Sequence, residues 1–569
     1  MEYEEKYKEW LINPLFDENT KEELKSIKNN KEEIEDRFYK DLEFGTAGLR
    51  GIMGSGSNRI NKYTIGKATQ GLANYIKKEK GEEKGVVIAY DSRNMSKEYS
   101  EVAALCLNAN GIKCYIFDTI TPVPELSYSV RKLGCIAGIM ITASHNPAKY
   151  NGYKVYWEDG AQITSPKDKL IIDEVNCICD FNEVKTMKKE EAIKQGLYKI
   201  IGEEINNLYI NELMKQLQNP EVIKKQKDLC IVYTPLHGTG NIPVQTVLGK
   251  IGFENVNIVK EQEMPDGNFP TVEYPNPEDK NAFKLALKLA KQKNAELVLA
   301  TDPDADRLGV YAKNSKTGEY NAFTGNMSAL LIAEYVLSQK AKKGTLSKKG
   351  VIIKSIVSST LAKPIAEQYN LKLIEVLTGF KYIGEKINEF EQTGEYTYEF
   401  GYEESYGCLV GTHARDKDAI CAVMLLCEAA AYYKEQGLTL WDQMEKIYEK
   451  YGFYKETIIQ KTFEGIEGTK KINKIMINLR QNPPKKFSKY NVEVIRDYKL
   501  GKIYDLKNKE EKETNLPISD VLYYELENDA WICVRPSGTE PKIKYYIGVK
   551  GESSKDADEK LEELKKCLE

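Results

Sequence analysis

The sequence contains no apolar run near the roughly 20 residues that a membrane-spanning helix needs. Its opening, Met1-Glu-Tyr-Glu-Glu5, is acidic and polar, unlike a secretory leader. Neither sign of charge is in excess: 82 Lys and Arg stand against 86 Asp and Glu, a formal net charge of -4. That balance gives no general attraction to nucleic acid or to an anionic membrane, so any anion site has to be built locally. A disulfide framework is also missing. The 11 cysteines are odd in number and scattered, and Cys106, Cys135, Cys230 and Cys533 sit in apolar runs, as buried reduced thiols do. The one close pair, Cys177 and Cys179, has neither zinc-ligand spacing nor a nearby histidine. These absences point to a cytoplasmic protein without nucleic-acid or membrane partners. No feature names a protein partner.

What the chain does have is length and alternation. At 569 residues it exceeds what one core serves, which implies three to four domains. Residues 1 to about 40 read as charged surface helices. After them, short apolar strands alternate with helices. The strands are expected at Val86–Tyr90, Cys114–Phe117, Ile136–Ile141, Leu229–Tyr233, Glu296–Ala300, Val351–Lys354 and Trp531–Val534. Ser96 is expected to cap a helix that ends at Gly111. A long apolar helix is expected over Asp416–Tyr433, and an amphipathic one near 469–480. The Lys/Glu-rich run 503–513 reads as a solvated loop. The division that follows is 1–205, 206–325, 326–450 and 451–569, with open α/β domains.

Four loops carry chemistry. Thr142-Ala-Ser-His-Asn-Pro147 follows the strand ending at Ile141, where small residues let the backbone turn and expose the Ser144 hydroxyl. Asp302-Pro-Asp-Ala-Asp-Arg307 places Asp302, Asp304 and Asp306 at alternate positions, able to converge on one hard cation such as Mg²⁺. An EF-hand needs Gly at its sixth position and Glu at its twelfth; here the sixth is Arg307, and Ala312-Lys313 supplies no acid. Arg307 adds a fixed positive charge beside the carboxylates. Gly401-Tyr-Glu-Glu-Ser-Tyr-Gly407 offers acids and Ser405 to vicinal hydroxyls, as a sugar presents them. Arg535-Pro-Ser-Gly-Thr-Glu-Pro-Lys542 is a compact phosphate cradle without Walker spacing. No Gly-x-Ser-x-Gly elbow surrounds Ser144, which argues against an acyl-transfer serine.

In type and order these loops resemble those of the α-D-phosphohexomutase superfamily, the phosphoglucomutase and phosphomannomutase group. Gly45-Thr-Ala-Gly-Leu-Arg50, Asp266-Gly-Asn-Phe-Pro270 and Thr378-Gly379 agree as well, and the likeness runs from about residue 41 to about residue 550. Asn151-Gly-Tyr-Lys154 and Arg415-Asp-Lys-Asp418 look like the branch of longer bacterial phosphoglucomutases and phosphopentomutases. The resemblance implies three α/β domains with mixed sheets around a central cleft and a smaller C-terminal α+β lid domain. It implies an isomerase carrying phosphate on Ser144, with Mg²⁺ held by that phosphoserine and by Asp302, Asp304 and Asp306. The phosphoryl group would pass to a sugar phosphate through glucose 1,6-bisphosphate, interconverting glucose 1-phosphate and glucose 6-phosphate.

Further roles follow from the same likeness. Lys154 is the candidate general acid/base, its pKa expected to be lowered by burial and neighbouring cations. His145 orients or shares protons, and Arg50 contacts the phosphoserine region. Glu403 and Ser405 bind sugar hydroxyls, Thr378 and Gly379 shape selectivity, and Lys417 helps to bind substrate. Arg535, Ser537, Gly538 and Thr539 grip the phosphate that is not transferred. Mannose and pentose phosphates remain alternatives to glucose. A phosphohydrolase and a non-catalytic sugar-phosphate sensor remain as other classes.

Overall fold

The computed structural model describes residues 2–45, 48–463, 465–537 and 542–569. The chain forms two compact units, Met1–Ser347 with Phe380–Trp441, and Lys348–Gly379 with Asp442–Glu569.

The first unit opens with three short helices, Glu2–Ile12, Glu18–Ser26 and Lys31–Phe38. Asp17 and Asn30 cap the second and third by accepting the backbone N–H groups of Thr20 and Glu33. These helices do more than cover a surface. Tyr3, Tyr7, Trp10, Phe16, Leu24, Ile34 and Phe38 form a core of their own, with Trp10 stacked on Phe16 at 4.0 Å.

A six-stranded mixed sheet follows, in the order Leu49–Ile52, Tyr150–Trp157, Ala137–Ile141, Val86–Tyr90, Cys114–Phe117, Tyr198–Ile201. The last four of these strands are parallel to one another, and the first two run antiparallel to their neighbours. The Val86–Tyr90 run is apolar throughout because both of its faces are covered. Val86, Ile88 and Tyr90 enter one core while Val87 and Ala89 enter the other. The strand carrying Arg50 begins inside the Gly45-Thr-Ala-Gly-Leu-Arg50 stretch. It forms because Gly152 opposite leaves room: a Cβ there would lie 2.6 Å from Leu49 O. The expected helix runs from Ser96 to Ala109, but its N-cap is Met95; the Ser96 hydroxyl donates to Asp91 Oδ1 instead.

The second sheet has five strands, in the order Tyr320–Ala322, Leu308–Lys313, Leu297–Thr301, Ile231–Thr234, Val256–Ile258. Leu308–Lys313 returns antiparallel to Leu297–Thr301, so residues 302–307 form a turn between paired strands. An antiparallel pair, Thr397–Glu403 with Gly407–Val410, precedes the buried helix Ala419–Lys434, whose N-cap Asp418 accepts the Cys421 N–H.

The second unit holds the parallel pair Gly350–Ser355 and Lys372–Val376 and a larger antiparallel sheet. Helices Gly465–Gln481 and Ser554–Leu568 supply Ile472, Met476 and Leu564 to that sheet's core. The 503–513 run is not a loop. Lys502–Asp505 pairs with Glu510–Glu513, and Lys502 sits 2.8 Å from Glu513 and 2.9 Å from Glu511, so opposite charges stabilise the hairpin across the strands. Among the described residues no helix is long and apolar enough to cross a membrane.

Candidate active site

Ser144 lies just past the carboxyl end of Ala137–Ile141. Its backbone is left-handed, φ 53°, a conformation that non-glycine residues adopt mainly where surrounding contacts enforce it. Here the Ser144 N–H donates to Thr142 Oγ1 at 2.8 Å. The Ser144 hydroxyl donates to Asp302 Oδ2 at 2.9 Å, and His145 Nδ1 lies 3.2 Å from Ser144 Oγ. Burial, joined by the charges of Arg307, Arg50 and Arg93, pushes the His145 pKa well below its ordinary value, so the ring is neutral.

Asp302, Asp304 and Asp306 occupy the turn between the two antiparallel strands, with Ala305 between them at φ 52°. All three are buried, and each offers one carboxylate oxygen within 4.8 Å of the others. Asp302 Oδ1 accepts the N–H groups of Asp306 and Arg307 at 3.1 and 3.0 Å. Asp304 Oδ1 and Asp306 Oδ1 are buried and have no hydrogen-bond partner among the described residues. Burial and the Asp304 and Asp306 charges push Asp302 well above the carboxylate range. Burial acts on Asp304 in the same sense, but the Lys154 ammonium outweighs it and holds Asp304 low. Crowded carboxylates with orphaned oxygens fit a divalent, oxygen-binding cation such as Mg²⁺.

Two lysines flank this turn. Lys154, opposite Met140 in the first sheet, lies 2.8 Å from Asp304 Oδ2 and 3.8 Å from Asp306 Oδ2. The expected lowering of its pKa does not hold here. Burial works in that direction, but Asp304, Asp306 and Asp416 outweigh it and the pKa is raised. Lys417 lies 3.2 Å from Asp306 Oδ2 and 3.1 Å from Asp416 Oδ1. Its stem passes Gly407, where a Cβ would sit 1.9 Å from Lys417 Cδ, so only glycine fits. Burial lowers the Lys417 pKa and Asp306, Asp416 and Glu403 raise it, with the raising the larger effect.

Glu403 is buried at the end of Thr397–Glu403, with Ser405 half-buried in the turn beyond it. Tyr406, φ 65°, accepts the Leu308 N–H at 2.9 Å and so ties this turn to the exit of the aspartate turn. Arg307 turns away from open space, with Nη1 on Glu278 Oε1 at 2.5 Å and Nε 3.8 Å from Asp306 Oδ1. Arg50 is exposed on the strand beside that of Lys154.

The first unit thus brings Ser144, His145, Lys154, Asp302, Asp304, Asp306, Arg307 and Lys417 into one contiguous network. Arg50, Glu403 and Ser405 also belong to the first unit, whereas Thr378, Gly379 and the 535–539 stretch belong to the second. Gly379 has φ 123°, and Thr378 Oγ1 is buried without a hydrogen-bond partner among the described residues. Arg535 lies near the end of Trp531–Pro536, and the Ser537 N–H donates to Lys542 O at 2.7 Å. Gly538 and Thr539 lie outside the described residues, as do Thr46 and Ala47 of the glycine-rich stretch. The sequence reading missed Asp91 and Arg93, both buried against the Ser144 loop. Asp91 follows the strand Val86–Tyr90 as directly as the chosen loops follow theirs, and that position was the available signal.

Comparison with known proteins agrees with this layout. The families described as phosphoglucomutase/phosphomannomutase alpha/beta/alpha domains I, II and III match residues 41–179, 207–317 and 324–451. With the C-terminal β-rich domain they make a four-domain α/β architecture. A protein named phosphoglucomutase from Staphylococcus aureus (strain USA300) is 38% identical over 543 residues, covering 95% of each chain. One from the bovine strain RF122 / ET3-1 is 39% identical over 532 residues, covering 93% of each. The crystal structure of parafusin, a phosphoglucomutase from Paramecium in its open form, superposes with a TM-score of 0.69 at 17% identity, covering 93% of this chain and 95% of that one. A phosphoglucomutase/phosphomannomutase family protein from Burkholderia thailandensis gives a TM-score of 0.64 at 17% identity, covering 91% and 95%. These two structures share the fold.

Proposed function

Because the chain belongs to the phosphoglucomutase/phosphomannomutase family, we propose that this sugar-phosphate mutase interconverts glucose 1-phosphate and glucose 6-phosphate by way of a phosphorylated Ser144. The observation that carries this reading is the 2.9 Å bond from Ser144 Oγ to Asp302 Oδ2, which sets the hydroxyl at the edge of the three-aspartate turn.

Asp302, Asp304 and Asp306, together with the phosphate on Ser144, would hold Mg²⁺. Bound there, the cation supplies neutralisation of the charge on the transferring phosphoryl group. The remaining work falls to this chain's side chains. The P–O bond to Ser144 Oγ breaks as a sugar hydroxyl oxygen bonds to phosphorus, and the hydroxyl proton ends on Ser144 Oγ. Lys154, charged where it stands, is suited to give a proton to the departing serine oxygen and to recover one from the sugar hydroxyl. His145, neutral and 3.2 Å from Ser144 Oγ, orients that oxygen. Arg307 and Arg50 add positive charge. Glu403 and Ser405 accept sugar hydroxyls and Lys417 takes a substrate oxygen. Thr378 and Gly379 set sugar preference. Arg535, Ser537, Gly538 and Thr539 are assigned the second phosphate on the chemistry of their loop alone. The intermediate is then glucose 1,6-bisphosphate, which also primes the serine. A cytoplasmic setting accords with cysteines that are all free.

The test is a panel of hexose and pentose 1-phosphates with Mg²⁺ and a bisphosphate primer. Isomer product and free phosphate are measured together. Glucose 6-phosphate formed with little free phosphate supports the reading. Phosphate release without isomer rejects it in favour of hydrolysis, since a mutase must exclude water.

A further inference from the structure

The Ser144 loop is gathered around one buried guanidinium. Arg93 Nη1 donates to Pro147 O at 2.9 Å and to Tyr150 O at 3.1 Å, while Nη2 donates to Ser144 O and to Asn146 O. Four carbonyls between residues 144 and 150 therefore converge on a single side chain. Its Nε lies 3.2 Å from Asp91 Oδ2, and both side chains are fully buried. The Phe269 ring covers the guanidinium at 5.0 Å, which gives the Asp266–Pro270 segment a place in the site.

Asp91 extends the arrangement to the other side of Ser144. Its Oδ1 accepts the Arg93 N–H at 3.0 Å and the Ser96 hydroxyl at 2.7 Å. Its Oδ2 accepts the Thr142 hydroxyl at 2.7 Å. Asp304 Oδ2 also lies near that hydroxyl, at 3.2 Å. A hydroxyl has one proton, so the shorter contact to Asp91 takes it, and Asp304 is left to Lys154. The lone pairs of Thr142 Oγ1 then face the Ser144 N–H. Ser144 is thereby held at both ends, its N–H by Thr142 and its carbonyl by Arg93, and its left-handed φ is fixed between them.

We propose that Arg93, with Asp91 and Thr142, is a positioning residue that holds Ser144 in the turn presenting its hydroxyl to the aspartates. The proposal rests on Ser144 as the phosphate carrier. An arginine suits the task because its planar fork meets two pairs of carbonyls at once, whereas a lysine is a single point charge.

The test uses the full-length protein and the variants Arg93→Lys, Thr142→Val and Thr142→Ser. Displacing a reacting group by about 1 Å costs on the order of 10²-fold in rate. Arg93→Lys and Thr142→Val are expected to lower kcat by about that factor while KM for sugar phosphate stays within about threefold, and Thr142→Ser should recover most of the loss. A residue serving stability alone would lower the melting temperature and leave kcat intact below it. A folded Arg93→Lys with kcat within threefold of wild type overturns the proposal. Should Arg93→Lys fail to fold, the Thr142 pair decides: Thr142→Val with wild-type kcat overturns it. Hydrogen exchange of residues 142–148 supplies a readout independent of turnover. The Ser144 amide should exchange at least tenfold faster in Thr142→Val, and unchanged exchange also counts against the assignment. Radiolabel from a bisphosphate primer on wild-type Ser144 separates the two ideas. If that label is missing the carrier reading fails, while exchange still judges the positioning role.

Discussion

Lys154 Nζ stands 2.8 Å from Asp304 Oδ2, with the lysine side chain 9% exposed and the aspartate fully buried. A divalent cation bound at the aspartates would therefore compete with this ammonium for the same carboxylate oxygens. Lys154→Met removes the competitor and the proposed proton donor together. We expect kcat to fall by about 10²- to 10⁴-fold, the range for loss of a general acid or base. The Mg²⁺ concentration for half-maximal activity should fall as well. Magnesium titration of initial rates measures both, and a raised magnesium requirement would contradict the competition.

Asp304→Asn tests the same oxygens from the other side. The amide keeps the shape but removes a charge that Lys154 and a cation share. The magnesium requirement should rise by at least about tenfold, in keeping with weakened oxygen ligation of a hard cation. An unchanged requirement would remove Asp304 from the ligand set.

Ser144→Ala should abolish transfer and spare the fold. The hydroxyl bonds to Asp302 and lies beside His145, so its loss costs about 1 kcal/mol of stability. Activity should drop by about 10⁴-fold or more, the scale seen when a covalent nucleophile is removed. Melting temperature and isomerase rate measured on one preparation check both halves. Normal turnover would mean that another group carries the phosphate.

Much of this site could be read from the sequence because two local signals coincide. Short runs apolar at every position, such as Val86–Tyr90 and Leu297–Thr301, announce strands covered on both faces. Loops of small, acidic and hydroxyl residues follow directly, as at Asp302. What escaped depends on partners distant in the chain. Arg50 belongs to a strand only because Gly152 lets the backbones approach. The Lys/Glu run near 503–513 is a hairpin in which Lys502 meets Glu511 and Glu513 across two strands. Arg93 resembles any loop arginine until residues 144–150 fold onto it. The Lys154 pKa was misjudged for a related reason: burial is legible locally, whereas the three aspartates that outweigh it come from two other segments.

Glu125 offers a pH test away from the aspartate turn. It is buried on the helix Val123–Lys132, and burial, with Asp418 nearby, pushes its pKa up to about 8. Asn206, its amide turned to donate, reaches Glu125 Oε1 at 2.6 Å. Asp418 is itself bonded to Tyr209 Oη and His413 Nε2. Folded Glu125 keeps its proton up to about pH 8, whereas the unfolded chain releases it near pH 4.3, about the ordinary glutamate value. The stability this group contributes is full below the lower value, declines as pH rises, and is lost above the upper one. Glu125→Gln has no proton to release. Its melting temperature relative to wild type should therefore rise from pH 5 to about 8 and level off beyond it, as scanning calorimetry would show. A difference that is flat or falls with pH would mean that Glu125 is ionised in the fold.

In the second unit, half-buried Glu375 joins the buried Lys354 to the half-buried Arg496. Its Oε1 lies 2.8 Å from Lys354 Nζ and its Oε2 lies 2.6 Å from Arg496 Nη1. Burial would raise the Glu375 pKa, but these two cations outweigh it and hold it down at about 2. Lys354 is almost fully buried and also donates to the carbonyls of Ser355 and Ser358, at 3.2 and 3.1 Å. Glu375→Gln thus leaves two cations without their shared carboxylate. Removing one partner of a buried pair costs about 3–5 kcal/mol, and denaturant unfolding should show a loss of that order. The sign with pH is opposite to that of Glu125. The stability from Glu375 is present above the ordinary glutamate value and is lost as pH falls through about 2. Between pH 5 and 2 the wild type should lose its advantage over Glu375→Gln. An advantage that persists at pH 2 would show that the cluster stabilises by packing and not by charge.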